Sequence, residues 1–270
     1  MGNRVAVIGA GVVGLACATH LQMRGREVTV FDPRPPGEYC SFGNAGCFSR
    51  ASFVPLGVPG LWKKVPRWLL DRDGPLSIRL DYAPRVAPWL WSLVRASSVE
   101  RVNEIANALR PLMDASIAKW RVLAEHAGVP ELVVQQGYAW AYESESAFRG
   151  DAFGRTLRQQ RGVRLEVLTG GAVREFEPSL SPRITHLVVM PEQGHCPNPL
   201  RLSQALAGRL RASGARIIPR EARDFRLRDG HVSGIVTSDG VFDTDTVVVA
   251  AGAHSHELTA RLGTPLPLET

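Results

Sequence analysis

Residues 4–34 read RVAVIGAGVVGLACATHLQMRGREVTVFDPR, and the predicted architecture starts from this segment. Residues 4–8 are a short run rich in Val and Ile, which is typical of a strand buried on both faces of a parallel sheet. The pattern then predicts a helix over residues 12–24 and a second strand over residues 27–31. A strand, a helix and a second strand in this order indicate an α/β fold with parallel strands.

Three glycines stand in the turn between the first strand and the helix. Gly9 permits a tight turn, Gly11 leaves room for a pyrophosphate against the backbone, and Gly14 lets the helix lie close to the strand. The helix would present its first N–H groups and its positive dipole end to the phosphates. Asp32 ends the second strand, where its carboxylate can accept both hydroxyl protons of an adenosine ribose. A tight turn that binds nothing is the alternative, and the presence of both strands, the helix and the acid argues against it.

The composition indicates a globular protein with a sizeable core, since 44% of the 270 residues are hydrophobic. The chain could form one large domain or two smaller ones. A formal net charge of +6 would suit an anionic membrane surface, nucleotide or acidic substrate, although the basic residues are scattered through the chain. We expect no nucleic-acid partner, and no run is long enough for a transmembrane helix.

The cysteines show neither a CxxC pair nor another metal-ligand spacing. We therefore expect reduced thiols in a cytoplasmic protein and no metal site. The four are Cys17, Cys40, Cys47 and Cys196.

The segment after Asp32, PRPPGEYCSFGNAGCFSRASF at residues 33–53, is too long for a simple connection. Its small residues would let a flat ring system approach the backbone. Together, GAGVVG at residues 9–14, Asp32 and PPGEYCSFGNAG at residues 35–46 resemble the FAD-dependent amine and amino-acid oxidoreductases, and specifically the bacterial D-amino acid dehydrogenases. In that group the segment equivalent to residues 40–46 passes beside the flavin.

The last third holds a second segment that resembles this family. A strand is predicted over residues 246–250, and it leads into a small-residue turn that resembles the second FAD-contact motif of flavoproteins with two dinucleotide-binding domains. By the same resemblance, the backbone of Ala222 would meet the adenine. The implied cofactor is FAD rather than a nicotinamide. The implied contacts are Val7, Ile8, Gly9, Ala10, Gly11, Val12, Val13, Gly14, Asp32, Pro33, Arg34, Cys40, Ser41, Asn44, Ala45, Gly46, Ala222, Ala251 and Gly252.

The resemblance also implies a domain organisation. A Rossmann-like FAD-binding domain would comprise residues 1–60 and 191–270, and part of an α+β substrate domain would comprise residues 61–190. Members of the family continue beyond the equivalent of residue 270, so we expect a C-terminally truncated chain. The usual arginine for the substrate carboxylate belongs to that later part, and no catalytic residue is assigned.

Residues 61–95 carry four tryptophans among basic residues and prolines: Trp62, Trp68, Trp89 and Trp91. Tryptophan beside lysine and arginine suits a membrane interface. The alternative, which we favour, is a set of short helices whose aromatic side chains pack into a second domain, because no clean amphipathic period runs through the prolines.

A long helical pattern follows, capped by Ser97 or Ser98 and ended by Gly128. Pro111 should kink or divide this helix. One apolar stripe is predicted, comprising Val102, Ile105, Leu109 and Leu112.

The pattern next predicts a strand over residues 132–143, a helix near 144–161, a turn element at 170–181 and a strand at 186–190. A helix capped near Asn198 follows, with leucines at i+4 spacing. Beyond it, a short strand and a meander with two Asp-Gly turns lead to the last strand.

Two groups of side chains in this middle part could carry function. Tyr138, Trp140 and Tyr142 alternate along one strand and share a face, which could line a substrate pocket but more often packs. His195 and Cys196 could be a base and a nucleophile. Adjacent residues in an extended loop point apart, so we favour a structural or pocket-lining role.

The reaction implied by the resemblance is oxidation of a D-amino acid to a 2-oxo acid and ammonia, with hydride transfer to flavin N5 and onward transfer of electrons to a quinone or another acceptor. The implied location is the cytoplasm, with peripheral contact at the cytoplasmic face of the inner membrane as a further expectation. Two alternatives stay open: a secondary-amine oxidase of the sarcosine, glycine or hydroxyproline type, and a non-catalytic FAD-binding remnant.

Overall fold

The computed structural model describes residues 2–63, 65–70, 78–79 and 81–268, and the chain forms two compact units. Unit 1 comprises Met1–Cys47, Ala118–Val134 and His195–Thr270, and unit 2 comprises Phe48–Ile117 and Gln135–Gly194. The functional roles assigned to the predicted domains stay a prediction.

The chain begins with a strand, a helix and a second strand. The strands are β1 (Arg4–Ile8), β2 (Glu27–Phe31), β3 (Cys47–Phe48), β4 (Tyr138–Tyr142), β5 (Glu166–Thr169), β6 (His186–Met190), β7 (Gly194–His195), β8 (Arg216–Ile218), β9 (Asp224–Arg228), β10 (His231–Thr237), β11 (Gly240–Asp243) and β12 (Thr246–Val249). The helices are α1 (Val12–Met23), α2 (Val65–Leu70), α3 (Ala83–Ala96), α4 (Val99–Asp114), α5 (Ser116–His126), α6 (Glu145–Gly150), α7 (Ala152–Gln160), α8 (Gly171–Phe176), α9 (Pro199–Ala212) and α10 (Ser255–Arg261).

A four-stranded parallel sheet forms the centre of unit 1, in the order β12, β1, β2, β8. The bounds of β1 and β2 are those predicted from the sequence. Val7 and Val30 are fully buried, as strands covered on both faces require. Helix α1 lies against β2 and against α9, whose Leu206 and Leu210 are fully buried. The predicted parallel α/β fold is therefore confirmed.

Strands β9, β10 and β11 form an antiparallel meander in unit 1. Asp229 adopts a φ of +52° in the first of its turns, next to a glycine, as the Asp-Gly pair predicts. Phe225 and Ile235 of the meander pack with Ile8 and Phe31 of the parallel sheet in one core cluster. The meander is therefore joined to the parallel sheet by a shared core.

Unit 2 contains an antiparallel sheet in the order β4, β6, β5. The three aromatic side chains of β4 are half-buried and contact neighbouring side chains. The guanidinium carbon of Arg158 lies 4.1 Å from the centre of the Trp140 ring. The Tyr142 hydroxyl donates a hydrogen bond to Asp151 Oδ2 at 2.8 Å, and Tyr138 Oη lies 2.6 Å from Ser49 Oγ. The packing role favoured from the sequence fits these contacts.

The long helical pattern differs in two details from the prediction. The Ser98 side chain caps α4, as expected, and Val102 and Ala106 are buried in a cluster with Leu157. Leu112 is 71% exposed, so placing it on the apolar stripe is wrong. It lies in the last turn of α4, two residues before the helix ends at Asp114. The helix does divide, but at Ala115, beyond the proline at 111.

Three predictions for residues 132–181 are wrong in extent. The strand begins only at Tyr138, because Gly137 adopts a φ of +76° and breaks the extended run. The helix near 144–161 is two helices that meet at Asp151. The predicted turn element at 170–181 contains the short helix α8.

Helix α3 carries Trp89 and Trp91, which are 59% and 66% exposed, and none of its residues is buried. The favoured prediction that these aromatic side chains pack into a second domain is therefore wrong for Trp89 and Trp91, and also for Trp62, which is 56% exposed. In the part of the chain that the structure describes, every helix is too short or too polar to cross a bilayer.

Candidate cofactor site

The glycine turn lies at the carboxyl end of β1, between the ends of β2 and β12. The Gly9 N–H donates to the Phe31 carbonyl oxygen at 2.8 Å, and the Ala250 N–H donates to the Ile8 carbonyl oxygen at 2.8 Å. Gly9 has a φ of +110°, and a Cβ on it would lie 2.3 Å from the Ala250 carbonyl oxygen. Only glycine fits this position, because any side chain would collide with the adjacent strand end.

Gly14 sets how closely α1 approaches the turn. A Cβ on Gly14 would lie 1.9 Å from the Gly9 carbonyl oxygen, well inside contact distance. Gly11 occupies the N-cap in an extended conformation and provides no side-chain cap. The Val12 N–H instead donates to Ser41 Oγ at 2.8 Å. The first turn of α1 contains no acidic residue, so its N–H groups and dipole would favour an anion.

Asp32 connects the turn to the loop that follows β2. Its Oδ2 accepts a hydrogen bond from the Ala10 N–H at 2.7 Å, and its Oδ1 accepts one from the Arg34 N–H at 2.9 Å. Each carboxylate oxygen has a second lone pair, so hydroxyl groups of a ribose could still bind there. The sequence predicted the ribose role but gave no sign of the two backbone contacts.

Asn44 holds the end of the small-residue loop in shape. Its Nδ2 donates to the Ser41 carbonyl oxygen at 2.9 Å, and its Oδ1 accepts from the Gly46 N–H at 2.7 Å. Gly46 has a φ of +63°, and a Cβ on it would lie 2.2 Å from the Cys196 carbonyl oxygen. The Cys196 N–H donates back to the Gly46 carbonyl oxygen at 2.8 Å. The loop is thus fixed locally and against the segment before α9.

His195 and Cys196 have structural partners and not catalytic geometry. The His195 N–H donates to the Val134 carbonyl oxygen at 2.8 Å, and the Val134 N–H donates back at 3.0 Å. Cys196 is 4% exposed, and burial raises the pKa of its thiol. A buried thiol with a raised pKa is a poor nucleophile, so the structural role is the better supported one.

The predicted contacts differ in their exposure to solvent, and Gly11, Val12, Asp32, Ser41 and Ala251 are half-buried. The backbone around the turn is buried, including Val7, Ile8, Gly9, Ala10, Gly14 and Gly46. The exposed residues that could face a ligand are Val13, Pro33, Arg34, Cys40, Asn44, Ala45 and Gly252. Ala222 belongs to the core cluster that contains Ile8 and Phe31, and Ala251 packs against it. The two sequence segments assigned to FAD therefore meet at one end of the parallel sheet.

An aromatic pair beside this site was missed from the sequence. The guanidinium carbon of Arg34 lies 3.8 Å from the centre of the Tyr39 ring. The Tyr39 and His254 rings stack with centres 6.1 Å apart. Their pairing joins the loop after β2 to the turn after β12, and no sequence signal predicted it.

The donor set suits a dinucleotide and offers no metal centre among the described residues. They contain no cluster of three or more His, Cys, Asp and Glu side chains that could hold a metal ion. The turn offers close backbone approach, a helix N-terminus without acids and a carboxylate beside it. Those are the groups that bind a pyrophosphate and a ribose.

The chain matches the family described as FAD dependent oxidoreductase over residues 4–270. It is 42% identical over 272 residues to a D-amino-acid oxidase of Bradyrhizobium diazoefficiens, an alignment that covers 100% of this chain and 64% of that protein. It is 30% identical over 273 residues to a D-amino acid dehydrogenase of Sinorhizobium medicae, with 98% of this chain and 65% of that protein covered. The chain thus spans about two-thirds of the length of these curated relatives.

Solved structures share the fold. A glycine oxidase of Bacillus cereus superposes with a TM-score of 0.65 at 25% identity, covering 96% of this chain and 58% of that one. An L-amino acid deaminase of Proteus vulgaris superposes with a TM-score of 0.69 at 17% identity. The superposition covers 99% of this chain and 58% of the deaminase chain.

Proposed function

Because the chain belongs to the family of FAD dependent oxidoreductases, we propose that unit 1 binds FAD at the glycine turn, Asp32 and the loop of residues 33–46. The observation that carries this proposal is the pair of positions, Gly9 and Gly14, where a Cβ would collide with backbone. Such a turn followed by a helix N-terminus is suited to a pyrophosphate. The other predicted contacts stay part of the proposal.

Different residues of this chain would contact different parts of the cofactor. The N–H groups of α1 after Val12 would hold the pyrophosphate, since the Val12 N–H donates to Ser41 Oγ, and Asp32 would hold the adenosine ribose. Ala222 would meet the adenine through its backbone. The small residues from Ser41 to Gly46 would lie beside the flavin ring, where the loop shape set by Asn44 leaves room for it.

We propose the oxidation of D-amino acids to 2-oxo acids and ammonia as the activity of the whole protein. The names of the similar Bradyrhizobium and Sinorhizobium proteins support this substrate class. When bound, FAD supplies the acceptor for the hydride that leaves the substrate Cα, and water then hydrolyses the resulting imine. The described side chains would bind and orient the cofactor, and none of them is assigned as acid, base or nucleophile.

A secondary-amine oxidase is the second candidate, and the similarity to a glycine oxidase favours keeping it. A panel of D-alanine, glycine, sarcosine and hydroxyproline, with dye and oxygen as alternative acceptors, separates the two. If only glycine, sarcosine or hydroxyproline, and not D-alanine, leads to reduction of the acceptor, the second candidate is favoured.

The proposal includes onward transfer of electrons to a quinone or another electron-transfer acceptor, with peripheral contact at a membrane. Exposed tryptophans beside basic residues support the contact. Trp62 is 56% exposed, and Lys63 Nζ lies 5.6 Å from the centre of its ring. Measuring dye-linked against oxygen-linked turnover tests the choice of acceptor.

The absorption spectrum of the purified chain, recorded between about 350 and 500 nm with and without added FAD, tests the proposal first. Flavin bands that bleach with D-alanine but not with L-alanine would support both the cofactor and the substrate class. Bands without bleaching would support FAD binding alone. A chain that takes up no FAD would contradict the proposal.

A further inference from the structure

Tyr39 is held beside the glycine turn by the residues on either side of it. The Gly37 N–H donates to the Ala10 carbonyl oxygen at 2.9 Å. Two residues after Tyr39, Ser41 Oγ accepts from the Val12 N–H at 2.8 Å. Both bonds attach the loop after β2 to the turn where the pyrophosphate is proposed to lie. The backbone of Tyr39 is therefore fixed next to that turn, while the residue itself is 50% exposed.

The Tyr39 side chain contacts a segment that follows a different strand. Its ring and the His254 ring stack with their centres 6.1 Å and their planes 29° apart. His254 ends a short 3-10 turn, Gly252–His254, that comes after β12. Strand β1 lies between β2 and β12, and the glycine turn follows β1 at the same edge of the sheet. The two stacked rings thus join the segments on either side of the glycine turn, whose strands are about 10 Å apart.

Neither ring is part of the core of unit 1. Both residues are exposed, and the core cluster nearest to them in the chain contains Ala222 and packs against Ala251 but includes neither Tyr39 nor His254. The stack instead connects two parts of the proposed cofactor site. Cys40 follows Tyr39 directly, and the turn that His254 ends contains Gly252, another proposed FAD contact. A role in holding the cofactor therefore suits the pair better than a role in stabilising the scaffold.

From this arrangement we infer that Tyr39 and His254 form a clasp that controls the exchange of FAD. A dinucleotide that enters or leaves the glycine turn has to pass the segments that the two rings join. Their contact therefore slows both association and dissociation of the cofactor. Tyr39 and His254 are positioning residues in this role, because they act through each other on the two segments. The inference rests on the proposed function, since it takes FAD to bind at the glycine turn.

The kinetics of FAD exchange test the inference on the full chain. Flavin fluorescence, followed after mixing the chain with FAD and after diluting the loaded chain, gives the two rate constants. Tyr39→Ala and His254→Ala should each raise both rate constants about fivefold, because each substitution removes the aromatic contact. The dissociation constant should change little. The double variant should exchange FAD no faster than Tyr39→Ala, because the two substitutions remove the same contact.

Variants that keep a ring provide the first control. Tyr39→Phe and His254→Phe should exchange FAD at the wild-type rates, because either phenyl ring can still stack. His231→Ala is the matched control, since His231 is an exposed histidine of unit 1 that lies in the meander and not at the glycine turn. It should leave both rate constants unchanged. Urea unfolding of the FAD-free chains should give similar free energies for all variants, because neither ring is buried.

Three kinetic results would overturn the inference. The first is unchanged rate constants in both alanine variants. The second is faster dissociation without faster association, because rings that only touch FAD would weaken its binding without opening a path. The third is a double variant in which the two increases multiply, since the rings would then act separately. A wild-type chain that takes up no FAD would overturn the proposed function and the clasp together, whereas the kinetic results overturn the clasp alone.

Discussion

The Asp32 carboxylate accepts a hydrogen bond from the Ala10 N–H at 2.7 Å, so the acid at the end of β2 is bonded to the glycine turn at the end of β1. Asp32 therefore stabilises the glycine turn and is also the residue that is proposed to bind the ribose. Its two roles can be separated by measuring stability and FAD affinity on the same variants.

Asp32→Ala should lower the free energy of unfolding of the FAD-free chain by about 1–2 kcal/mol, because the Ala10 and Arg34 N–H groups lose a charged acceptor. FAD affinity should fall by about 100-fold if the ribose is also held there. Asp32→Asn keeps one acceptor oxygen, so its unfolding free energy and its FAD affinity should lie between those of the wild type and of Asp32→Ala. Urea unfolding and flavin fluorescence titration give the two values. Lower stability with unchanged affinity would leave Asp32 a structural role only.

Gly14→Ala should destabilise the chain by about 3 kcal/mol or more, because the added methyl would lie 1.9 Å from the Gly9 carbonyl oxygen and force α1 away from the turn. Gly208 provides the control. It lies inside α9, and outside the adjacent backbone of that helix no atom lies within 4 Å of its Cβ position, so Gly208→Ala should stabilise the chain by about 1 kcal/mol. Urea unfolding gives the free energy of unfolding of both variants. If both substitutions raise it, or both lower it, the packing argument is contradicted.

Asn44→Ala should weaken FAD binding by about tenfold with little loss of global stability, because Asn44 is exposed and its two hydrogen bonds act only on the loop. Asn44→Asp keeps the acceptor for the Gly46 N–H and loses the donor to Ser41. It should therefore bind FAD with intermediate affinity. Equal affinities of all three chains would mean that the loop does not contact the cofactor.

The Tyr142 phenol should ionise only at strongly alkaline pH. Burial and its hydrogen bond to Asp151 raise the pKa of the phenol to about 12. The raised pKa means that the folded chain keeps this proton while the unfolded chain loses it. The resulting stabilisation is complete below the ordinary pKa of about 10 and is lost as the pH rises towards 12.

Tyr142→Phe should remove this dependence. Phenolate absorbance near 295 nm measures the titration, and urea unfolding at several alkaline pH values measures the stability. A wild-type unfolding free energy that falls no more steeply than that of the variant would contradict the assignment.

The sequence predicted those parts of the fold that depend on neighbouring residues. The buried apolar runs predicted β1 and β2 to the residue, and the glycines at 9, 11 and 14 located the turn between β1 and α1. Cap residues were also reliable: Ser98 and Asn198 each accept a hydrogen bond from the first turn of their helix. In each case the residues that form the sequence pattern lie within a few residues of the element that they predict.

Predictions failed where distant partners set the outcome. The break at Asp151 accompanies a carboxylate that accepts from Tyr142, a residue of β4. Gly137 interrupts its strand where a Cβ would lie 2.9 Å from the Met190 carbonyl oxygen, more than fifty residues away. The hydrogen bond from the Ala10 N–H to Asp32 and the stacking of Tyr39 on His254 likewise depend on the finished fold. No local pattern carries that information.

The position of β1 at the centre of its sheet has a consequence for synthesis. β1 pairs with β2 on one side and with β12 on the other, and Arg4 bonds to Asp245 across 241 residues. β1 therefore lacks this partner until a strand 241 residues further along the chain has been synthesised. Until residues 246–249 emerge, one edge of β1 lacks its partner strand and Gly9 lacks the strand end beside it. Nascent chains halted before that point should not retain FAD, however completely their glycine turn has been translated.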